Sequence, residues 1–280
     1  MKTGFMILMV ALLSSNFSIA HAAVPKFKHV FIVILENANE DEAVAQPFLA
    51  SLAKRGAYLK SYHGVTQPSQ PNYLAMISGD TQGVSGDGIE DLDGKHIGDL
   101  LEGAGMSWKV YAEDYPGDCY LKAKSGKYVR KHVPFLSFTN VTNSPERCAR
   151  IVNADQLDQD VRSGSLPNFA IYVPNMDNDG HDTDVATADA WLKSKFGMRV
   201  KSAEFMTDTL FITTFDEGEM LGNSDNQIYA SFYGTQVKPG AVATESYDHY
   251  NLLRTVEEAL GLSTLGQSDA KASPIEGIWK

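Results

Sequence analysis

The sequence predicts an α/β layered fold around a mainly parallel β-sheet. Two observations carry this. Apolar runs rich in β-branched residues, without polar alternation, mark strands buried on both faces. These runs alternate with segments of helical character, the pattern of a layered α/β chain. A third observation concerns function: several runs stop abruptly at carboxylates or amides, and ligands of such sheets bind at the carboxyl ends of the strands.

The first strand is His29-Val30-Phe31-Ile32-Val33-Ile34-Leu35, ending at Glu36-Asn37. Residues 42–56 follow as a helix that Pro47 starts or kinks and Gly56 closes. Beyond a loop holding Pro68 and Pro71, Tyr73 to Ile77 reads as a short helix closed by Gly79, and Ile97 to Leu101 as another. Ser107 to Tyr111 predicts a strand that ends at Glu113-Asp114. Residues 115–150 read as irregular, with both cysteines and a basic patch from Lys122 to Lys131. Asn168 to Val173 is a strand stopped by Pro174-Asn175, and Thr209 to Phe215 a strand ending in Asp216-Glu217-Gly218. Ile228 to Tyr233 is a short strand, and Leu252 to Leu260 an amphipathic helix closed by Gly261.

The N-terminus bounds the compartment. Lys2, the apolar run Phe5 to Leu13, the polar stretch Ser14 to Ser18 and the small-x-small site Ala20-His21-Ala22 have the order of a cleaved secretory signal. The apolar run is too short to span a bilayer. The expectation is an exported chain starting near Ala23 or Val24, with residues 24–280 as one domain, since no linker, repeat or composition break divides them. No other window is long and apolar enough to cross a membrane, so stable membrane insertion is not expected. The net charge of −11 disfavours nucleic acid and anionic membranes at long range. It leaves room for a phosphorylated substrate, because a bound metal ion inverts the local field. In an oxidising compartment the two cysteines, Cys119 and Cys148, are expected to pair.

Glu36, Asn37, Asp216 and Glu217 are hard oxygen donors at the ends of two buried strands, suited to magnesium, calcium or manganese more than to zinc. Read as two acidic turns instead, they would crowd carboxylates without a counter-charge. Ser69 stands between Pro68 and Pro71 at the start of a helix, where a phosphate is favoured by free N–H groups and the helix dipole. A metal ion there would lower the pKa of the hydroxyl and make it a nucleophile. The alternative is that Ser69 only caps the helix. Among the histidines, His29 begins a strand at the end away from Glu36, and His63 and His96 read as surface or loop residues. His132, His181 and His249 remain, each able to bind phosphate oxygens, ligate a metal or protonate a leaving alcohol. Asp182 beside His181 and Asp248 beside His249 suit the orienting of an imidazole. The G-x-S-x-G, G-x-x-x-x-G-K-[ST] and H-E-x-x-H motifs are absent, as is the C-x-P-x-R pattern of sulfatases.

Taken in order, Leu35-Glu36-Asn37, Pro68-Ser69-Gln70-Pro71-Asn72-Tyr73-Leu74-Ala75, Lys131-His132-Val133-Pro134-Phe135, Asn178-Asp179-Gly180-His181-Asp182, Phe215-Asp216-Glu217-Gly218 and Asp248-His249-Tyr250 resemble the bacterial phosphoesterase family. That family holds secreted acid phosphatases and non-specific phospholipases C, within the alkaline-phosphatase-like superfamily. The resemblance implies a three-layer αβα sandwich. It implies a divalent metal ion held by Glu36, Asn37, Asp216 and Glu217, with Ser69 as the nucleophile that also touches the metal. Asn72, His132, His181 and His249 match polar residues of the phosphate pocket, with Lys131 and Asp182 beside them in the same motifs. Gln67 stands where compact members often carry histidine. The implied activity is hydrolysis of phosphate monoesters, including phosphoinositides, with the phospholipase C type of phosphodiesterase as the alternative. Outside enzymes, a periplasmic protein that only binds phosphate or metal would also explain the strand-end donors, but not the serine between prolines.

Overall fold

The structure is a computed structural model that describes residues 23–219 and 225–280, so the signal-like segment 1–22 lies outside the described residues. The strands are β1 (His29–Leu35), β2 (Ala57–His63), β3 (Trp108–Ala112), β4 (Lys124–Ser125), β5 (Tyr128–Val129), β6 (Ile151–Asn153), β7 (Phe169–Val173), β8 (Thr209–Phe215), β9 (Gln227–Tyr233) and β10 (Ala241–Asp248). β4 and β5 make a small hairpin, and the other eight form one sheet in the order β10-β2-β9-β8-β1-β7-β3-β6. All neighbours in that sheet are parallel except β9, which runs antiparallel to β2 and to β8.

The central pair explains why the sequence looked the way it did. Every residue of β1 and of β8 is buried, and the two strands pair along their whole length from His29↔Thr209 to Leu35↔Phe215. A strand covered by helices on both faces has no solvent side to alternate toward. On one face Phe31 meets Phe205 at 5.1 Å and Phe196 at 5.7 Å, both edge-on. Phe196 ends the helix Val185–Phe196, which packs with the helix Pro47–Arg55. A second group, His249–Leu260 against Ser69–Ser78, packs along β1 and β10. These are the helical layers of an αβα sandwich.

Several elements differ from expectation. The helix read over 42–56 is two helices, Glu40–Val44 and Pro47–Arg55. Pro47 takes the first-turn position that its fixed φ suits, and the carboxylate of Asp189 accepts from the N–H groups of Phe48 (3.0 Å) and Leu49 (2.7 Å) in place of a local cap. β2, β6 and β10 were not anticipated: β10 is an edge strand with mostly polar, partly exposed residues, so it carries no apolar run. His96 is not a surface residue. It is fully buried and caps the helix Ile97–Gly103, its Nδ1 accepting from Gly98 N at 3.0 Å. In the stretch read as irregular, Cys119 and Cys148 are joined by a disulfide across a sequence separation of 29.

Candidate active site

The pairing of β1 with β8 brings both strand ends to one rim, so Glu36-Asn37 and Asp216-Glu217 arrive side by side. Asn37 turns the chain in the left-handed region at φ 46°, a conformation asparagine tolerates, and its N–H lies 3.4 Å from Asp216 Oδ1. The helix Ser69–Ser78 begins beneath this rim, with Pro68 in the cap position and no side-chain cap. Ser69 therefore does not cap its own helix. Its Oγ lies 3.2 Å from Glu36 Oε2 and 3.2 Å from Glu217 Oε1, and the residue is buried.

A second layer supports the first. Tyr73, one helical turn after Ser69, donates to Glu36 Oε1 at 2.5 Å and stacks on His132, with ring centroids 5.0 Å apart. His132 Nε2 lies 3.3 Å from Glu36 Oε1, and its Nδ1 3.6 Å from Asp179 Oδ2. Burial, with Asp216 and Asp179 next, pushes the Glu36 carboxyl well above its ordinary range. Burial likewise raises Asp179 and Asp216 to about 7, and burial with the neighbouring Asp216 raises Glu217 to about 8. Burial, then Lys131 and His181, hold His132 well below the usual imidazole value, so it is neutral. Among the described residues no three His, Cys, Asp or Glu side chains are already gathered into a metal cage. The donors nonetheless suit a hard cation: Asn37 Oδ1 and Asp216 Oδ2 are buried without a hydrogen-bond partner, and crowded carboxyls of this kind are stabilised as anions by a divalent ion.

Not every expected contact faces the pocket. His181 and Asp182 stand at its rim, Nδ1 to Oδ1 3.0 Å apart, and the His181 N–H donates to Asp179 Oδ1 at 2.8 Å. His181 also lines a cleft of about 430 Å³ with Asn37, Glu42, Asp184 and Glu219. Lys131 pairs with Asp87 at 2.6 Å, and Asp87 accepts the Gln70 N–H at 3.0 Å, which ties the cation to the first turn of the serine helix. Asn72 and His249, expected in the phosphate pocket, have their polar atoms engaged by the protein. Asn72 Oδ1 accepts from Val65 N (2.9 Å) and Thr66 N (3.2 Å), while Nδ2 donates to Thr66 O (2.9 Å) and Pro68 O (3.2 Å) and lies 3.5 Å from Glu217 Oε2, which keeps it at the site. The side chain holds the loop before Ser69 in shape. His249 is fully buried, with Nδ1 at 2.9 Å from Tyr62 OH and Nε2 at 2.6 Å from the Asp216 carbonyl. It fixes the backbone of Asp216, and burial first lowers its pKa to about 4. Gln67 donates to Gly218 O at 3.1 Å, joining the serine loop to the end of β8. Asn226 closes that end: its Oδ1 accepts from Gly218 N at 2.8 Å, and its Nδ2 donates to Thr66 O at 2.8 Å.

The sequence profile of the Phosphoesterase family matches residues 40–263. The chain belongs to the phosphoesterase family. Among phosphoesterases it is similar to a protein of Kluyveromyces lactis named "Probable acid phosphatase", 36% identical over 262 residues that cover 89% of this chain and 62% of that one. It therefore spans less than two thirds of that relative's length. It is also similar to a phosphatidylinositol-3-phosphatase of Mycobacterium tuberculosis, 35% identical across 93% of this chain and 86% of that one. A solved structure of an alkaline phosphatase superfamily protein from Vibrio parahaemolyticus shares the fold, with a TM-score of 0.62 at 14% identity over 91% of this chain and 72% of that one. Three residues of this phosphoesterase site received no role from the sequence: Tyr73, Asp87 and Asp179. Tyr73 had a signal, since it follows Ser69 at i+4 and so lies on the same helix face. Asp87 sits in an unstructured acidic stretch and had none.

Proposed function

We propose that residues 24–280 act as one phosphoesterase domain that hydrolyses phosphate monoesters at acid pH through Ser69. The observation that carries the proposal is the position of Ser69 Oγ, 3.2 Å from a carboxylate of each strand end, on a rim where Asn37 Oδ1 and Asp216 Oδ2 have no partner. Glu36, Asn37, Asp216 and Glu217 would hold a divalent ion with Ser69 as a further donor. Such an ion, when bound, lowers the pKa of the serine hydroxyl and offsets the charge of the carboxylates.

The chain's own groups supply the rest. Lys131, tied to the first turn of the serine helix, draws the phosphate dianion into line with Oγ. Attack forms the Oγ–P bond as the hydroxyl proton passes to Glu217 Oε1, the carboxylate oxygen to which Oγ donates, and breaks the bond to the leaving alcohol, which takes a proton from His181, oriented by Asp182. His132, neutral and held by stacking on Tyr73, would donate from Nε2, which has no hydrogen-bond partner, to one phosphate oxygen as charge develops. Water then cleaves the phosphoserine and restores the hydroxyl. Asn72, whose Nδ2 also reaches Glu217 Oε2, lies beside the phosphate, and His249 acts through the strand end it holds. The acid phosphatase and phosphatidylinositol-3-phosphatase among the relatives support a phosphomonoester substrate, phosphoinositides included.

Export belongs to the same proposal. The Lys2 to Ala22 segment has the order of a cleaved signal, and a Cys119–Cys148 disulfide is at home in an oxidising compartment. No helix among the described residues is long and apolar enough to cross a membrane.

Hydrolysis of p-nitrophenyl phosphate across pH, before and after chelation, beside Ser69→Ala, tests the reading. Activity that vanishes with the serine, falls on chelation and returns with a divalent ion is the expected result. Full turnover by Ser69→Ala would overturn the assignment of the nucleophile.

A further inference from the structure

At the pole opposite the candidate active site, two adjoining clefts form a trough lined by cations. The larger, about 600 Å³, has Arg55, Lys193 and Lys201 around Phe48 and Met198. The second, about 440 Å³, shares Arg55 and Lys201 and adds Lys280 and Met206. Neither is lined by any Asp or Glu among the described residues, whereas the cleft at Asn37 and His181 is lined by Glu42, Asp184 and Glu219. In a chain of net charge −11 this segregation of sign is local and marked.

The topology fixes where the trough lies. Arg55 ends the helix that leads into β2, and Lys201 ends the helical turn Arg199–Lys201 shortly before β8. β9 ends at Tyr233 opposite Phe211, near the beginning of β8. All of these sit at the amino ends of the parallel strands, whereas Glu36 and Asp216 follow their carboxyl ends. A seven-residue strand separates the two poles by roughly 20 Å.

The apolar component is as informative as the charge. Met198 is 76% exposed, the most exposed of the large hydrophobic side chains among the described residues, on the turn between the helix Val185–Phe196 and the residues Arg199–Lys201. An unbranched, flexible apolar side chain projecting between lysines is the arrangement that enters the headgroup region of a lipid bilayer while cations meet anionic headgroups. Repulsion from the acidic remainder of the surface does not prevent this, because at physiological salt charges are screened beyond about 8 Å.

We propose that this trough docks the protein peripherally on an anionic lipid surface, with Met198 in the interface and Arg55, Lys193, Lys201 and Lys280 against the headgroups. The charge pattern favours this occupant: the clefts carry four cations, against the exposed acids Glu204 and Asp208 beside the second, which suits a diffuse anionic plane, and an exposed methionine suits its apolar edge. Docking by this pole turns Ser69 away from the bilayer, so the bound enzyme would meet phosphate esters arriving from water, and phosphoinositides would be reached only by the undocked enzyme.

The test is co-sedimentation of the protein with vesicles of mixed phosphatidylcholine and phosphatidylserine, and with vesicles of phosphatidylcholine alone. Every variant carries the same N-terminus, so differences between them report the trough. Binding to the mixed vesicles only, weakened by salt, is expected. Each cation contributes about fivefold, so Lys193→Gln with Lys201→Gln should weaken binding roughly 25-fold. Met198→Ser should weaken it further without altering the salt dependence, and hydrolysis of p-nitrophenyl phosphate should be unchanged in both, which shows that they fold. Equal binding to both vesicle types, or mixed-vesicle binding that survives the double lysine change, would overturn the proposal. So would capture by soluble poly-glutamate as strong as capture by vesicles and indifferent to Met198→Ser, which would assign the trough to an acidic protein.

Discussion

Tyr73→Phe removes one oxygen atom from the candidate site and leaves the ring that stacks on His132, so it isolates a single hydrogen bond. That bond, from the Tyr73 hydroxyl to Glu36 Oε1 at 2.5 Å, is short and made to a group meant to be an anion. Hydrogen bonds to charged groups contribute about 1.5–3 kcal/mol. Loss of an outer partner of a metal ligand weakens metal binding by about 10- to 100-fold, which is the same energy on a logarithmic scale. The hydroxyl opposes the rise in the Glu36 pKa that burial, Asp216 and Asp179 produce. Without it the carboxyl holds its proton more tightly, and protons compete better with the ion as pH falls. The assay is reactivation of the chelated enzyme by titrated divalent ion, read as p-nitrophenyl phosphate hydrolysis at several pH values. Tyr73→Phe should need about 10- to 100-fold more ion for half-reactivation, with the gap from the parent widening toward acid pH. An unchanged half-reactivating concentration at every pH would refute the reasoning and detach Tyr73 from the metal ligands.

Three further outcomes follow from the geometry. Lys131→Gln removes the cation tied to Asp87 and the serine helix, and should raise KM for a phosphomonoester about tenfold with a smaller change in kcat; steady-state kinetics at saturating ion checks this. Replacing both Cys119 and Cys148 with serine opens a bridge across a separation of 29 residues and should lower stability by about 3–4 kcal/mol in urea unfolding. Glu257 is fully buried with both carboxylate oxygens unpartnered, and burial with the neighbouring Asp269 raises it to about 8. A folded-state pKa above the unfolded one gives stability that is present at acid pH and lost as pH climbs toward 8. The urea midpoint of Glu257→Gln, which does not titrate, should therefore gain on that of the parent between pH 5 and 8.

The parts of this fold that were legible in the sequence are the ones whose burial is complete. β1 and β8 were read residue for residue because both their faces lie against helices, which forces an unbroken apolar run. β2, with Lys60 exposed in its middle, and β10, at the sheet edge, lack that constraint and passed unnoticed. At the site, the strand-end carboxylates and Ser69 could be named because strand ends and helix starts are visible in a one-dimensional pattern. Their meeting at 3.2 Å depends on β1 and β8 being neighbours, which no local pattern encodes. The same limit explains Asn72 and His249. Their residue types suit phosphate, but their partners, Val65, Thr66 and Glu217 for Asn72 and Tyr62 for His249, are ones that only packing selects.

The antiparallel strand of the large sheet has a consequence for redesign. Because β9 runs antiparallel to β8, β8 ends and β9 begins at the same rim, that of the candidate site. Asn226, just before β9, binds Gly218 after β8 on one side and Thr66 of the serine loop on the other. The register of β8 ends at Phe215 and that of β9 begins at Gln227, so changes after Glu219 need not shift Asp216 or Glu217. A library of insertions after Glu219 would vary the mouth of the cleft while the hydrolytic machinery stays in place, which makes this hairpin a graft point for new leaving-group selectivity.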